Sequence, residues 1–273
     1  MDPDKLLFYY WFFEPLKSEY QDDNSINPIL EIPVKTNDGE CRLSLFFGID
    51  RRPSFMRFSI PGYEKEEIKE EHSELLQTVK EHLLSILRIN YDSNLQLAPY
   101  TMWAFPESGK PYSYGITLKQ MVTKWTELPV KTIKNAFIGT WSKRDDMRLL
   151  SDSLDPRIPL QYRYLSLYKI IENAFKARGK WNKKELKEFL NQFEDDYKKD
   201  IRTKSSLYSY IHNLRDKCAH IKTSKNRYGV TYLSNRQVVE VNKFLPFMRK
   251  MCVNLLNSLS GGKYKIGAKP PSN

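Results

Sequence analysis

Ile211-His212-Asn213-Leu214-Arg215-Asp216-Lys217-Cys218-Ala219-His220 reads as the later part of one amphipathic helix that begins near Ser205. With about 100° of turn per residue, Leu207, Ile211, Leu214, Cys218 and Ile221 fall within about 40° of one line and define a packing face. His212, Asp216 and His220 then lie about 140°, 180° and 220° from that line, with Arg215 on its flank near about 80°. The polar groups are expected on the side away from the core.

Asp216 and His220 stand at i and i+4, so the carboxylate can reach the imidazole and favour its protonated form. Arg215 keeps its charge and offers forked donors to phosphate oxygens. A proton-moving imidazole and a fixed guanidinium suit metal-free RNA cleavage, the first for acid and base work, the second for the charge of a phosphorane. The same residue types also occur together on solvated helices, and spacing alone leaves both readings open. His212-x3-Asp216-x3-His220 has helical metal-ligand spacing but lacks a Glu partner and a second ligand helix. No metal or cofactor is expected.

Neighbouring segments are helical too. Leu160, Tyr164, Leu167, Ile171, Ala174 and Phe175 recur at three- and four-residue steps until Gly179 stops the run. Asn182 to Asp200 opens on an Asn cap and turns Leu186, Phe189, Leu190 and Phe193 inward. A last helix, about Asn235 to Leu259, carries Val241, Leu245, Met248, Cys252, Leu255 and Leu259 as its stripe. Four such helices over residues 156–260 close naturally as a four-helix bundle, and residues 261–273, rich in Gly, Lys and Pro, make a loose basic tail.

Residues 1–155 read differently. Ile29 to Lys35, Cys41 to Ile49, Ser54 to Ile60, Leu95 to Phe105 and Tyr112 to Leu118 are short, β-branched or aromatic, and punctuated by Gly, Pro, Asn or Asp, as strands are. Glu64 to Ile89 is a long helix with Leu75, Leu76, Val79, Leu83, Ile86 and Leu87 inward, and with His72 and His82 as surface positions. Strands around one helix predict an α+β domain, with Leu118 to Leu154, broken by Pro129, as a helical connector.

The net charge of +11 over 273 residues is unevenly spread. Residues 1–155 hold 19 Lys and Arg against 24 Asp and Glu (−5), and residues 156–273 hold 25 against 9 (+16). Such a basic excess is the footprint of a phosphate-backbone binder, although a solvated surface produces it as well. Three cysteines, Cys41, Cys218 and Cys252, are too few and too scattered for a disulfide scaffold or a four-thiolate zinc site, which suits the cytoplasm. Leu6 to Phe13 is strongly apolar but far shorter than the roughly 20 residues of a spanning helix, so no membrane anchor is expected. No P-loop, dinucleotide fingerprint or nucleophile elbow occurs.

Arg215 to His220 resembles the R-x4-H signature of the HEPN superfamily, including the polar residue after the arginine and the place at the end of the third helix of four. The resemblance covers about Ile158 to Leu259, and Arg163-Tyr164-Leu165-Ser166-Leu167-Tyr168 is similar to first helices of bacterial HEPN proteins. It implies a dimeric, metal-independent endoribonuclease of the toxin or antiphage-defence kind, with two Arg and His pairs facing each other across the homodimer interface. Arg215 would bind the scissile phosphate, His220 would move the proton, and Asp216 would orient His220. Glu172-x3-Lys176 resembles an acid and base pair of some relatives, and an i, i+4 surface ion pair explains it equally. Other members of the superfamily only bind or scaffold, which leaves a non-catalytic RNA- or nucleotide-binding or dimerisation module as the rival. Beyond the motif, Lys222, Lys225, Arg227, Tyr228 and Tyr232 form a basic and aromatic loop suited to RNA. The acidic N-terminal part is expected to sense a trigger or to meet an antitoxin or other regulatory partner.

Overall fold

Leu6–Phe13 (β1) is unbroken in its apolarity because Tyr9, Tyr10, Trp11, Phe12 and Phe13, which point alternately to the two faces of the sheet, are all buried. The computed structural model to which this strand belongs describes residues 6–13, 28–36, 39–47, 53–61, 70–91, 95–104, 130–201, 205–219 and 235–259. The expected strand at Tyr112 to Leu118 and the tail 261–273 lie outside them. The chain forms two compact units, the first reaching Ile138 and the second starting at Gly139, with the last turn of helix Glu70–Asn90 (α1) belonging to the second from Arg88 onward.

In the first unit, β1 joins Leu30–Thr36 (β2), Gly39–Phe47 (β3), Pro53–Pro61 (β4) and Leu97–Ala104 (β5) in one antiparallel sheet of order β2-β3-β4-β1-β5. β1 is absent from the strands expected above; a run without period-2 alternation carries no strand signature, and burial on both faces explains the lack. β2 alternates as a half-buried edge should: Leu30, Ile32 and Val34 are buried while Glu31, Pro33 and Lys35 are exposed. Pro33 is tolerated because an edge strand can spare one N–H. α1 lays Leu75, Leu76, Val79, Leu83, Ile86 and Leu87 inward as expected. His82 is not at the surface: it is 2% exposed, its ring lies 4.7 Å from that of Phe137, and its Nε2 donates to the Phe137 carbonyl at 3.0 Å. That bond ties helix Val130–Gly139 (α2) to α1.

The second unit is helical. Arg144–Leu154 (α3) packs on Leu160–Phe175 (α4), which packs in turn on Leu207–Ala219 (α7) and Asn235–Leu259 (α8). The predicted helix Asn182 to Asp200 is two helices, Lys183–Asn191 (α5) and Glu194–Ile201 (α6), with the expected cap in place: Asn182 Oδ1 accepts from the Glu185 amide at 3.4 Å. α5 lies against α7, and α6 against α8. Tyr164, buried in the centre, donates its hydroxyl to the Ile211 carbonyl at 2.8 Å and fixes α4 to α7. α8 buries a broader face than its expected stripe, adding Phe244, Phe247, Met251 and Leu256, while Leu259 is exposed. Gly179 does not end α4, which stops at Phe175. It sits instead with Arg178 in the two-residue turn between Lys176–Ala177 (β6) and Lys180–Trp181 (β7), both residues at positive φ (79° and 50°), as tight hairpins require. Among the described residues, no helix is long and apolar enough to cross a membrane.

Candidate functional site

The first free amides of α7 need acceptors, and Glu194 at the start of α6 supplies one: its Oε2 accepts from the Leu207 amide at 3.1 Å. The helix so anchored buries Leu207, Ile211 and Leu214, as its periodicity predicts. Cys218, expected on the same face, is half-buried, and burial pushes its thiol up to about 12. Cys41 and Cys252 are buried free thiols.

Arg215 leaves the helix at the flank of this core, its side chain 35% exposed. Two features hold it. Its Nη1 lies 3.1 Å from Asp216 Oδ1, and its guanidinium carbon stands 5.9 Å from the centroid of the Tyr168 ring on α4. The Asp216 side chain is 51% exposed, in keeping with its predicted outward position, and it pairs with Arg215. Lys217, on the other flank, is bound to Glu240 of α8 at 2.8 and 3.0 Å. His220 and the loop residues Lys222, Lys225, Arg227, Tyr228 and Tyr232 lie outside the described residues.

His212 departs from its expected place. The wheel puts it opposite the core, yet it is half-buried, because α7 is covered by α4 and the β6–β7 hairpin on that side as well. Its Nδ1 is 2.7 Å from the Tyr168 hydroxyl, a bond that leaves no lone pair there for a metal. Its ring meets Trp181, Tyr208 and Tyr168 edge to face at 5.3, 4.6 and 5.7 Å. Burial holds the imidazole below its usual range, with Asp216 pulling it up and Arg215 pushing it down. Burial also raises the Tyr168 hydroxyl to about 12, against the pull of Arg215. Among the described residues, no group of three or more His, Cys, Asp or Glu side chains is placed to hold a metal ion.

Glu172 and Lys176 do form an ion pair, 2.6 Å apart, and Lys169 binds the other oxygen of Glu172 at 2.8 Å. These bonds, Lys169's first, hold the Glu172 carboxyl below its usual range. Lys176 belongs to β6, and its Nζ lies 5.7 Å over the Trp181 ring. Lys187 of α5 is placed in the same way, 5.7 Å over Tyr208.

Tyr168, Trp181, Tyr208 and Lys187 are not singled out by the sequence reading. The signal available was Arg178-Gly179 between Lys176-Ala177 and Lys180-Trp181, a turn dipeptide that returns the chain on itself and brings Trp181 back to α7. Together these residues give α7 a cationic and aromatic flank with a fixed guanidinium at one end, an arrangement able to meet phosphate and flat rings. No curated protein and no solved structure matches the chain. Residues 154–257, from the end of α3 nearly to the end of α8, match the model of one family, described as Methylamine utilization protein MauJ, and it is to that family that this part of the chain is similar.

Proposed function

We propose that the protein is a metal-independent endoribonuclease, acting as a toxin or antiphage effector, whose site is built from Arg215 and His220 of two copies. In this reading α4, the α5–α6 pair, α7 and α8 are the four helices of a HEPN-type bundle. MauJ-like proteins are HEPN-related, and the match over residues 154–257 supports the assignment. The observation that carries it is the state of Arg215: half-exposed, and steadied by Asp216 and Tyr168. A fixed charge facing solvent is ready to receive a phosphate without reorganisation.

The chemistry needs one proton taken and one given. His220 accepts the proton of a ribose 2′-hydroxyl as its oxygen bonds to phosphorus, and Arg215 stabilises the added negative charge. The bond from phosphorus to the 5′-oxygen breaks, that oxygen takes up a proton, and a 2′,3′-cyclic phosphate remains. Arg215 and His220 are about 140° apart on a regular helix, so a twofold partner brings the complementary pair to the same strand. The acidic N-terminal part would restrain or trigger the reaction.

The test is cleavage of a labelled single-stranded RNA in EDTA. Arg215→Ala and His220→Ala are each expected to lower the rate by about a hundredfold or more, with a cyclic phosphate on the wild-type product. Full activity in either variant overturns the assignment. The rival, a module of the same fold that binds without cutting, draws on the pairing of Arg215 with Asp216, which partly neutralises the guanidinium; RNA bound but uncut by the wild type would establish it.

A further inference from the structure

The flank of α7 carries more than cleavage requires. From Arg215 the aromatic strip runs through Tyr168, His212 and Trp181 to Tyr208, which precedes Arg215 by seven residues. Beyond Tyr208 lies an open cavity of about 420 Å³ between α5 and the start of α7, a size in the range of small-molecule sites. Its lining is chemically mixed: the Tyr208 ring, the Lys187 ammonium, the Asn191 amide and the Ser209 hydroxyl, with Glu194 committed to the Leu207 amide.

Each of these groups answers to part of a nucleotide. A half-buried tyrosine offers a face on which a base can stack, at a cost in sequence specificity that an adjacent amide, able to donate and to accept, can recover. Lys187, whose Nζ lies 5.7 Å from the ring centroid at an exposed position, would swing off the ring as the base stacks and reach the phosphate of the same nucleotide. Seven residues along a helix span about 10 Å, the rise of about three stacked nucleotides at roughly 3.4 Å each. We propose that this cavity is a base-binding subsite for single-stranded RNA, taking one nucleobase against Tyr208 with Asn191 at its edge and Lys187 on its phosphate. Only the direction of the strand, toward Arg215, rests on the nuclease reading.

The experiment uses the full chain with Arg215→Ala, so that RNA survives, and a short oligouridine holding one 2-aminopurine, read by fluorescence and anisotropy. Stacking on an aromatic ring contributes about 1–3 kcal/mol per base, so adding Tyr208→Leu should weaken binding about 5- to 150-fold and restore the quenched 2-aminopurine signal. Lys187→Ala and Asn191→Ala, at exposed positions that the fold does not need, should each weaken it severalfold. Parent affinity in all three variants overturns the subsite. Loss in Tyr208→Leu with parent affinity in the other two also overturns it, because the ring then only packs on His212. Adenosine monophosphate bound as tightly as the oligonucleotide would make the cavity a free-nucleotide site and overturn the RNA assignment. Cleavage by the chain with native Arg215 is scored separately: RNA held through Tyr208 but never cut supports the subsite and removes the nuclease, whereas RNA cut with unchanged KM by the Tyr208, Lys187 and Asn191 variants does the reverse.

Discussion

The sheet of the first unit and the flank of α7 use aromatic residues in opposite ways. In the sheet, rings are structural mass: Trp11 meets Phe58 edge to face at 5.0 Å, Phe46 stacks on Phe55 at 4.4 Å, and all four are buried. On the flank of α7, Trp181 and Tyr208 are only half-buried. Cations stand over rings in both places, Lys80 over Trp11 and Arg57 over Phe46 in the sheet unit, Lys176 and Lys187 in the helical one. A cation over a ring therefore does not mark a site by itself. What separates the two regions is access to the ring and a cavity beside it.

The largest expected effect tests the sheet half of this contrast. Phe58→Ala removes a fully buried ring and should cost about 3–5 kcal/mol, read as a shift of the urea unfolding midpoint. Tyr208→Leu should cost less than about 1.5 kcal/mol while weakening RNA binding. Equal costs for the two would break the comparison.

A smaller effect is expected between α3 and α4. The Asp155 carboxylate takes Arg157 Nε at 2.8 Å, Nη2 at 2.5 Å and the Arg157 amide at 3.0 Å, and these bonds hold its pKa below the usual range, with a further pull from Arg88. A lowered carboxyl contributes stability that is complete above its unfolded value and is lost as pH falls through the folded one. Asp155→Asn should therefore cost about 1–2 kcal/mol at pH 7, and the gap between variant and wild type should narrow below about pH 4. A gap as wide at pH 3 would assign the cost to something other than the ion pair.

The smallest effect concerns His212. Its imidazole is held neutral by burial, so the stability it contributes is full above about pH 6.5 and is lost as pH falls through the lowered folded value. His212→Gln should flatten the stability profile below that pH, by less than Asp155→Asn costs at pH 7. An unchanged acid slope would place its origin elsewhere.

Legibility differed between the units for physical reasons. The core face of α7 and the outward place of Asp216 could be read because each residue turns the helix by a fixed angle, and the Asn182 cap because its amide competes for a helix N–H. His212 could not: a wheel assigns one buried face, whereas α7 is touched by α4, α5 and the hairpin at once. β1 escaped for the opposite reason, since a strand buried on both faces has no alternation to detect. His82 was misplaced because nothing local announces that α2 returns a carbonyl to it from 55 residues away. The hairpin was hidden by its size, two residues a strand being too short for any pattern. His220, on which the catalytic reading depends, rests on its helical spacing from Asp216 and on the motif, and lies outside the described residues.

That hairpin has a consequence for how the chain can vary. Surface turns ordinarily absorb insertions and deletions, but successive residues of a strand face opposite sides, so a single residue gained or lost at Arg178-Gly179 would swing Trp181 away from His212 and give its place to a neighbour. The length of this loop is therefore constrained as well as its composition, which the positive φ of Arg178 and Gly179 already narrows.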